Sequence, residues 1–130
     1  MPIVDHKNLP ELPWRPKYRV WPIIDETGHV DCILHYGIIE PNGGAPLHVH
    51  QTDELIVVLE GSLQGVIGDA SEIINPDQTM VIPKGISHSF RAVGAKPAKI
   101  LTFFPSKDGM KNTVYFEGKP PKLYNKESKP

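Results

Sequence analysis

A single cysteine, Cys32, excludes an internal disulfide, so burial and backbone pairing alone must hold the fold. A reducing, cytoplasmic setting is expected, with Cys32 an inert core or half-buried strand residue. Neither sign of charge is in excess: Lys and Arg number 14 against 15 for Asp and Glu. That balance leaves no concentrated basic face, which argues against nucleic acid or an anionic membrane as the main partner. No apolar run approaches the roughly 18 residues of a membrane span. Residues 1–6 have neither the basic nor the apolar region of a secretory leader, so none is expected. Helical periodicity is missing as well, because 14 prolines and 11 glycines interrupt the chain too often for long helices. The expectation is one soluble domain of 130 residues.

What the chain does have is a series of short apolar runs between turn signals. Runs at 29–39, 47–50, 54–59, 63–67, 72–74, 79–82, 88–93 and 99–104 are separated by Gly, Pro, Asn and Asp. Roughly eight to ten short strands without helical segments predict an all-β sandwich or barrel. Residues 1–22 carry Pro2, Pro10, Pro13, Pro16 and Pro22 with Trp14 and Trp21, which predicts an extended N-terminal arm with at most one short strand. Its tryptophans argue for packing on the body or on a second subunit. Residues 23–116 are read as the barrel, and 117–130 as a polar tail that frays at its end.

One constellation carries chemistry. His48 and His50 stand two apart, a spacing that on a strand turns both imidazoles to one face. Glu54 follows after a short turn, so a hairpin is expected to bring three N/O donors to one point. Downstream, Pro83 and Gly85 build a turn that launches a strand beginning at His88, and this fourth donor is expected to arrive from the opposite wall. The remaining histidines have plainer readings: His6 and His29 as solvated groups, His35 as a satisfied or exposed strand residue. Phe90, Phe103 and Phe104 are read as core or contact residues, some lining the pocket, and Tyr36 as core or a source of a pocket hydroxyl.

These residues together resemble the cupin superfamily. Its first motif is matched by His48, His50, Glu54 and Gly61, and the heart of its second by Pro83, Gly85 and His88. The resemblance covers residues 33–105 and points to the small, single-domain, quercetinase-like branch. Some turn positions depart from the pattern: Gly43-Gly44 stand near a displaced glycine, Asp77-Gln78 replaces the usual Gly-Asp, and Ala92 stands for an asparagine. The resemblance implies a double-stranded β-helix, or jelly-roll, barrel with one divalent metal ion in its mouth, held by His48, His50, Glu54 and His88.

Three imidazoles and a carboxylate suit Fe, Mn, Ni, Cu or Zn and disfavour Mg or Ca. Four protein donors on an octahedral ion leave two positions for a chelating substrate, or for a substrate oxygen and dioxygen together. The expected activity is therefore a metal-dependent dioxygenase acting on a small aromatic or enol-type compound. By the resemblance, Glu54 also serves as base on the substrate hydroxyl. The alternatives are a redox-neutral isomerase, cyclase or lyase using the ion as a Lewis acid, and a non-enzymic small-molecule-binding barrel. A homodimer is expected, since single barrels expose sheet edges that need cover, with the Trp14/Trp21 arm as clasp.

Overall fold

The computed structural model describes residues 3–124. Two antiparallel sheets face each other. One has six strands in the order β1-β2-β3-β10-β5-β8, the other five in the order β11-β4-β9-β6-β7. The first is built from β1 (Leu12–Arg15), β2 (Tyr18–Ile24), β3 (Ile33–Ile39), β10 (Ala98–Phe104), β5 (Glu54–Glu60) and β8 (Thr79–Ile82). The second comprises β11 (Val114–Tyr115), β4 (Gly44–Val49), β9 (His88–Val93), β6 (Ser62–Ile67) and β7 (Ala70–Ile74). The all-β expectation holds. Among the described residues no helix is long and apolar enough to cross a membrane.

Period-two alternation sorts each central strand into an inner and an outer face. Ile33, His35, Gly37 and Ile39 of β3 and Ala98, Ile100, Thr102 and Phe104 of β10 are buried, while the residues between them are partly exposed. The inner face is not uniform along its length. At one end it is apolar, with Val58, Leu63, Ala92 and Ile100 fully buried. At the other end the buried positions are His35, His48, His50, Glu54, His88 and Thr102. Register produces this polar end, because Thr102 of β10 pairs with His35 on one side and with Ile56, two residues beyond Glu54, on the other.

Both chain ends depart from expectation. The boundary drawn at residue 22 falls inside β2, which pairs with β3 from Tyr18 to Ile24, and β1 pairs with β2 in turn. Residues 12–22 are therefore strands of the six-stranded sheet. Pro22 is tolerated because β1 reaches only as far as Val20 along β2, and a bulge lies between Pro22 and Ile24. Trp14 packs edge-on against Tyr18, His35 and Tyr124 of its own chain. Trp21 lies on the other face with Tyr36, its register partner, and the Arg19 guanidinium covers its ring. Tyr36 thus supplies no pocket hydroxyl. The first part of the expected tail returns to the barrel: Pro121 is buried, and a 3-10 turn at Lys122–Tyr124 packs on β1. The fraying expected at the extreme C-terminus falls outside the described residues.

Candidate metal centre

The two sequence motifs are stitched together by backbone. The amide of Gly85 donates to the His50 carbonyl at 3.0 Å, and that of Lys84 to the Asp53 carboxylate at 2.8 Å. Gly85 has φ +79 with open space around it, a conformation that an L side chain resists. His88 is the register partner of His48, so β9 is the immediate neighbour of β4 in one sheet. This corrects the expectation that His88 reaches in from the opposite wall. Glu54 is the donor from the other sheet, and residues 51–53 cross between the sheets instead of closing a hairpin.

A bulge sets the aim of β4. Ala45 pairs with Phe90 and His48 with His88, so β4 holds one residue more than β9 between these two pairs. Without that extra residue Ala45 and His48, three apart, would face opposite sides. With it, both line the same cavity.

The four donors converge and are all buried. His48 Nε2 lies 3.1 Å from His50 Nε2, His88 Nε2 lies 2.9 Å from Glu54 Oε1, and His50 Nε2 lies 3.3 Å from the same oxygen. All four donor atoms fall within 4.8 Å of one another. Bonds of about 2.1 Å to an octahedral ion would put adjacent donors about 3.0 Å and opposite donors about 4.2 Å apart. The spacing fits such an ion.

Proton bookkeeping leads to the same conclusion. His48 Nδ1 lies 2.6 Å from the Pro46 carbonyl and His88 Nδ1 lies 3.0 Å from the Ile86 carbonyl. A carbonyl only accepts, so both Nδ1 atoms carry protons. His50 Nδ1 meets Thr113 Oγ1 at 2.8 Å, and that hydroxyl gives its own proton to the Met110 carbonyl, so it too accepts from the ring. In its neutral form each of the three rings therefore turns an Nε2 lone pair inward. The His48–His50 contact at 3.1 Å then joins two lone pairs away from water, an arrangement that a cation relieves. Burial lowers the His48 pKa to about 4, so its ring stays in the neutral, coordinating form at neutral pH. Burial raises the Glu54 carboxyl, but the hydrogen bonds and charge of His50 and His88 when Nε2 is protonated, a role that a bound cation would take over, outweigh it and hold the group at about 2. The anion is thus the stable form of Glu54.

Thr113 lies outside both motifs yet orients His50. A Thr113→Val variant is expected to fold normally and to bind metal about 10–100-fold more weakly, since it removes the acceptor of the His50 proton. Chelator competition against the wild type measures this, and equal affinities would show that the hydroxyl has no such role.

The centre lies at one side of a small cavity of ≈ 30 Å³ that opens to solvent. Phe90, Phe104, Trp14 and Ala45 supply apolar walls, and Arg15, Tyr18, His35, Thr102 and Tyr115 supply polar groups. His35 is buried, which lowers its pKa to about 4 against the opposing pull of Asp25 and Glu54. It lines the cavity as a neutral ring outside the donor cluster. His6 and His29 are exposed, as expected. Phe90 and Phe104 line the cavity, whereas Phe103 lies half-buried on the outer face with Leu55 and Pro105. Arg15, Tyr18 and Tyr115 were not legible as site residues, because no spacing links strands at the two ends of the chain to the central motifs.

This fold matches known proteins. Residues 35–104 match the cupin domain, and the chain belongs to that family. A probable germin-like protein, subfamily 2 member 5, of Arabidopsis thaliana is 38% identical over 72 residues, which is 51% of this chain and 34% of that protein. The chain thus spans about a third of that relative's length. The polyketide cyclase RemF of Streptomyces resistomycificus superposes with a TM-score of 0.76 at 23% identity, covering 92% of this chain and 87% of that one. An oxalate oxidase in complex with the substrate analogue glycolate gives 0.65 at 23% identity, with 77% and 55% coverage.

Proposed function

We propose that this cupin is a metal-dependent enzyme that uses dioxygen to cleave a small aromatic or enol-type compound. One observation carries the reading: the three Nε2 atoms and the Glu54 carboxylate lie beside a cavity open to solvent, so a bound ion would be reachable by substrate. Fe, Mn, Ni or Cu fits the donor set, and the ion would supply the redox and Lewis-acid chemistry of the reaction. The chain's own groups have separate tasks. Phe90, Phe104 and Trp14 form apolar walls for a planar substrate and keep water from it. Thr102 and the buried Tyr18, which both line the cavity, present a polar pair to its edge. Glu54 accepts the proton of the substrate hydroxyl as that oxygen binds.

A second reading is favoured by specific observations. The likeness to a polyketide cyclase runs over nearly the whole of both chains, and a neutral His35 and two tyrosines line the cavity as proton-handling groups. These would suit a redox-neutral cyclisation, isomerisation or decarboxylation.

Turnover of catechol-, flavonol- and enol-type compounds under air and under argon, with each metal in turn, separates the two. The first reading expects conversion in air only, and none with Zn, which has no accessible redox state. Glu54→Gln is expected to keep some metal and lose turnover, because an amide coordinates weakly and takes no proton. Conversion that proceeds equally under argon and with Zn would move the enzyme to the second class.

A further inference from the structure

Among the described residues, Arg15 is the one permanently cationic side chain lining the cavity. It comes from β1, outside the segment that matches the cupin domain. Part of its placement is structural: Nη1 donates to the Lys119 carbonyl at 2.6 Å and so ties β1 to the returning C-terminal segment. Its guanidinium also lies 5.4 Å from the ring centroid of Tyr115. Tyr115 in turn stacks on His48, with centroids 5.2 Å apart and planes inclined by 17°. A single aromatic ring therefore separates the guanidinium from a metal-donor histidine.

The structural role leaves two features without a purpose. Arg15 Nε is buried and has no hydrogen-bond partner among the described residues. No ion pair among those residues includes Arg15, so its charge faces the cavity without a carboxylate. A buried N–H without an acceptor costs about 1–3 kcal/mol, and such groups are rare unless a ligand supplies the acceptor. Glu54 is not that acceptor, since Arg15 Nε has no partner among the described residues and the Glu54 carboxylate belongs to the donor cluster.

We infer that Arg15 anchors a carboxylate of the substrate, whose other end reaches the metal centre. The inference rests on the reading of the cavity as a substrate site. The Nε edge of a guanidinium is the edge that a carboxylate takes with two parallel hydrogen bonds. A divalent ion less the charge of Glu54, together with Arg15, leaves the cavity with an excess of positive charge that an anionic substrate neutralises. The substrate class narrows to small hydroxy- or enol-bearing carboxylic acids, with an apolar body between the two polar ends.

Calorimetric titration with benzoate, benzamide and phenol, on metal-loaded and metal-stripped protein, tests this. Wild-type protein is expected to bind benzoate about 10–100-fold more tightly than benzamide, loaded or stripped. Arg15→Gln abolishes that preference, and Arg15→Lys, which keeps the charge and the stem, retains part of it. Phenol is expected to need the metal and to be indifferent to Arg15→Gln. Equal binding of benzoate and benzamide by the wild type, no benzoate binding at all, or an undiminished preference in a folded Arg15→Gln variant would overturn the inference. Phenol binding that ignores the metal, beside a benzoate preference that follows Arg15, would keep the carboxylate anchor and overturn both the reach to the metal and the metal-centred reading.

Discussion

Gly44→Ala is expected to lose more than about 4 kcal/mol of stability, a loss in the exceptional range that leaves much of a marginally stable chain unfolded. Gly44 opens β4 opposite Arg91 of β9. A Cβ there would lie 1.9 Å from the Phe90 carbonyl oxygen and 2.7 Å from the Arg91 Cα. Both are backbone atoms of a strand fixed on its other side by β6, so no side-chain rotation relieves the contact. The strands must part, although the amide of Ala92 donates to the Gly43 carbonyl at 2.8 Å and that of Asn42 to the Ala92 carbonyl at 2.9 Å. The φ of +153 adds conformational cost for any L side chain. Four residues along, His48 depends on the same strand pair for its register with His88, so any folded fraction should also bind metal weakly. Gly94→Ala is the control: φ is +88 but the space is open, so about 1–2 kcal/mol is expected. Urea denaturation of the three proteins decides the matter, and a Gly44→Ala variant as stable as Gly94→Ala would refute the close approach.

Gly44 also shows where sequence reading succeeds and where it stops. The donors were legible because metal chemistry and strand geometry impose the same local spacing: His48 and His50 two apart, and His88 at the first residue of β9. Strands β8 and β9 lie at the expected residues 79–82 and 88–93, since each is bounded by turn residues that admit few conformations. The partner across the site was not legible. Period-two reasoning assigns a residue to a face but not to a sheet, so it does not show that β9 with His88 lies beside β4, nor that Glu54 belongs to the other sheet. The bulge at residues 45–48 is equally silent, because it is a count of residues relative to another strand. The first two strands were hidden by their prolines, which forbid pairing only where a neighbour needs the N–H. Arg15, Thr113 and Tyr115 belong to no periodic pattern, and only the return of both chain ends to the cavity mouth gives them a place.

His88→Ala is expected to strip the metal and leave the barrel folded. The side chain is fully buried, and its Nε2 is the ring nitrogen closest to Glu54, at 2.9 Å. Its removal deletes one of four donors, so the affinity should fall by more than the roughly 10–100-fold that loss of an outer partner costs. The backbone of β9 keeps its pairing with β4 and β6, neither of which involves the imidazole. The vacated space should cost about 2–5 kcal/mol, as for other large-to-small core changes. Melting with and without metal separates the two effects. Metal at about 1,000 times its Kd should stabilise the wild type by about 4 kcal/mol and raise its Tm by roughly 15 °C. The variant should begin from a lower Tm and gain nothing from metal. His35→Ala offers the comparison, since His35 is also a buried histidine of the same cavity but lies outside the donor cluster. It should lose stability and keep the metal-induced rise. A His88→Ala protein that still binds one equivalent of metal against a chelator, with an undiminished rise in Tm, would show that the four-donor centre is wrong.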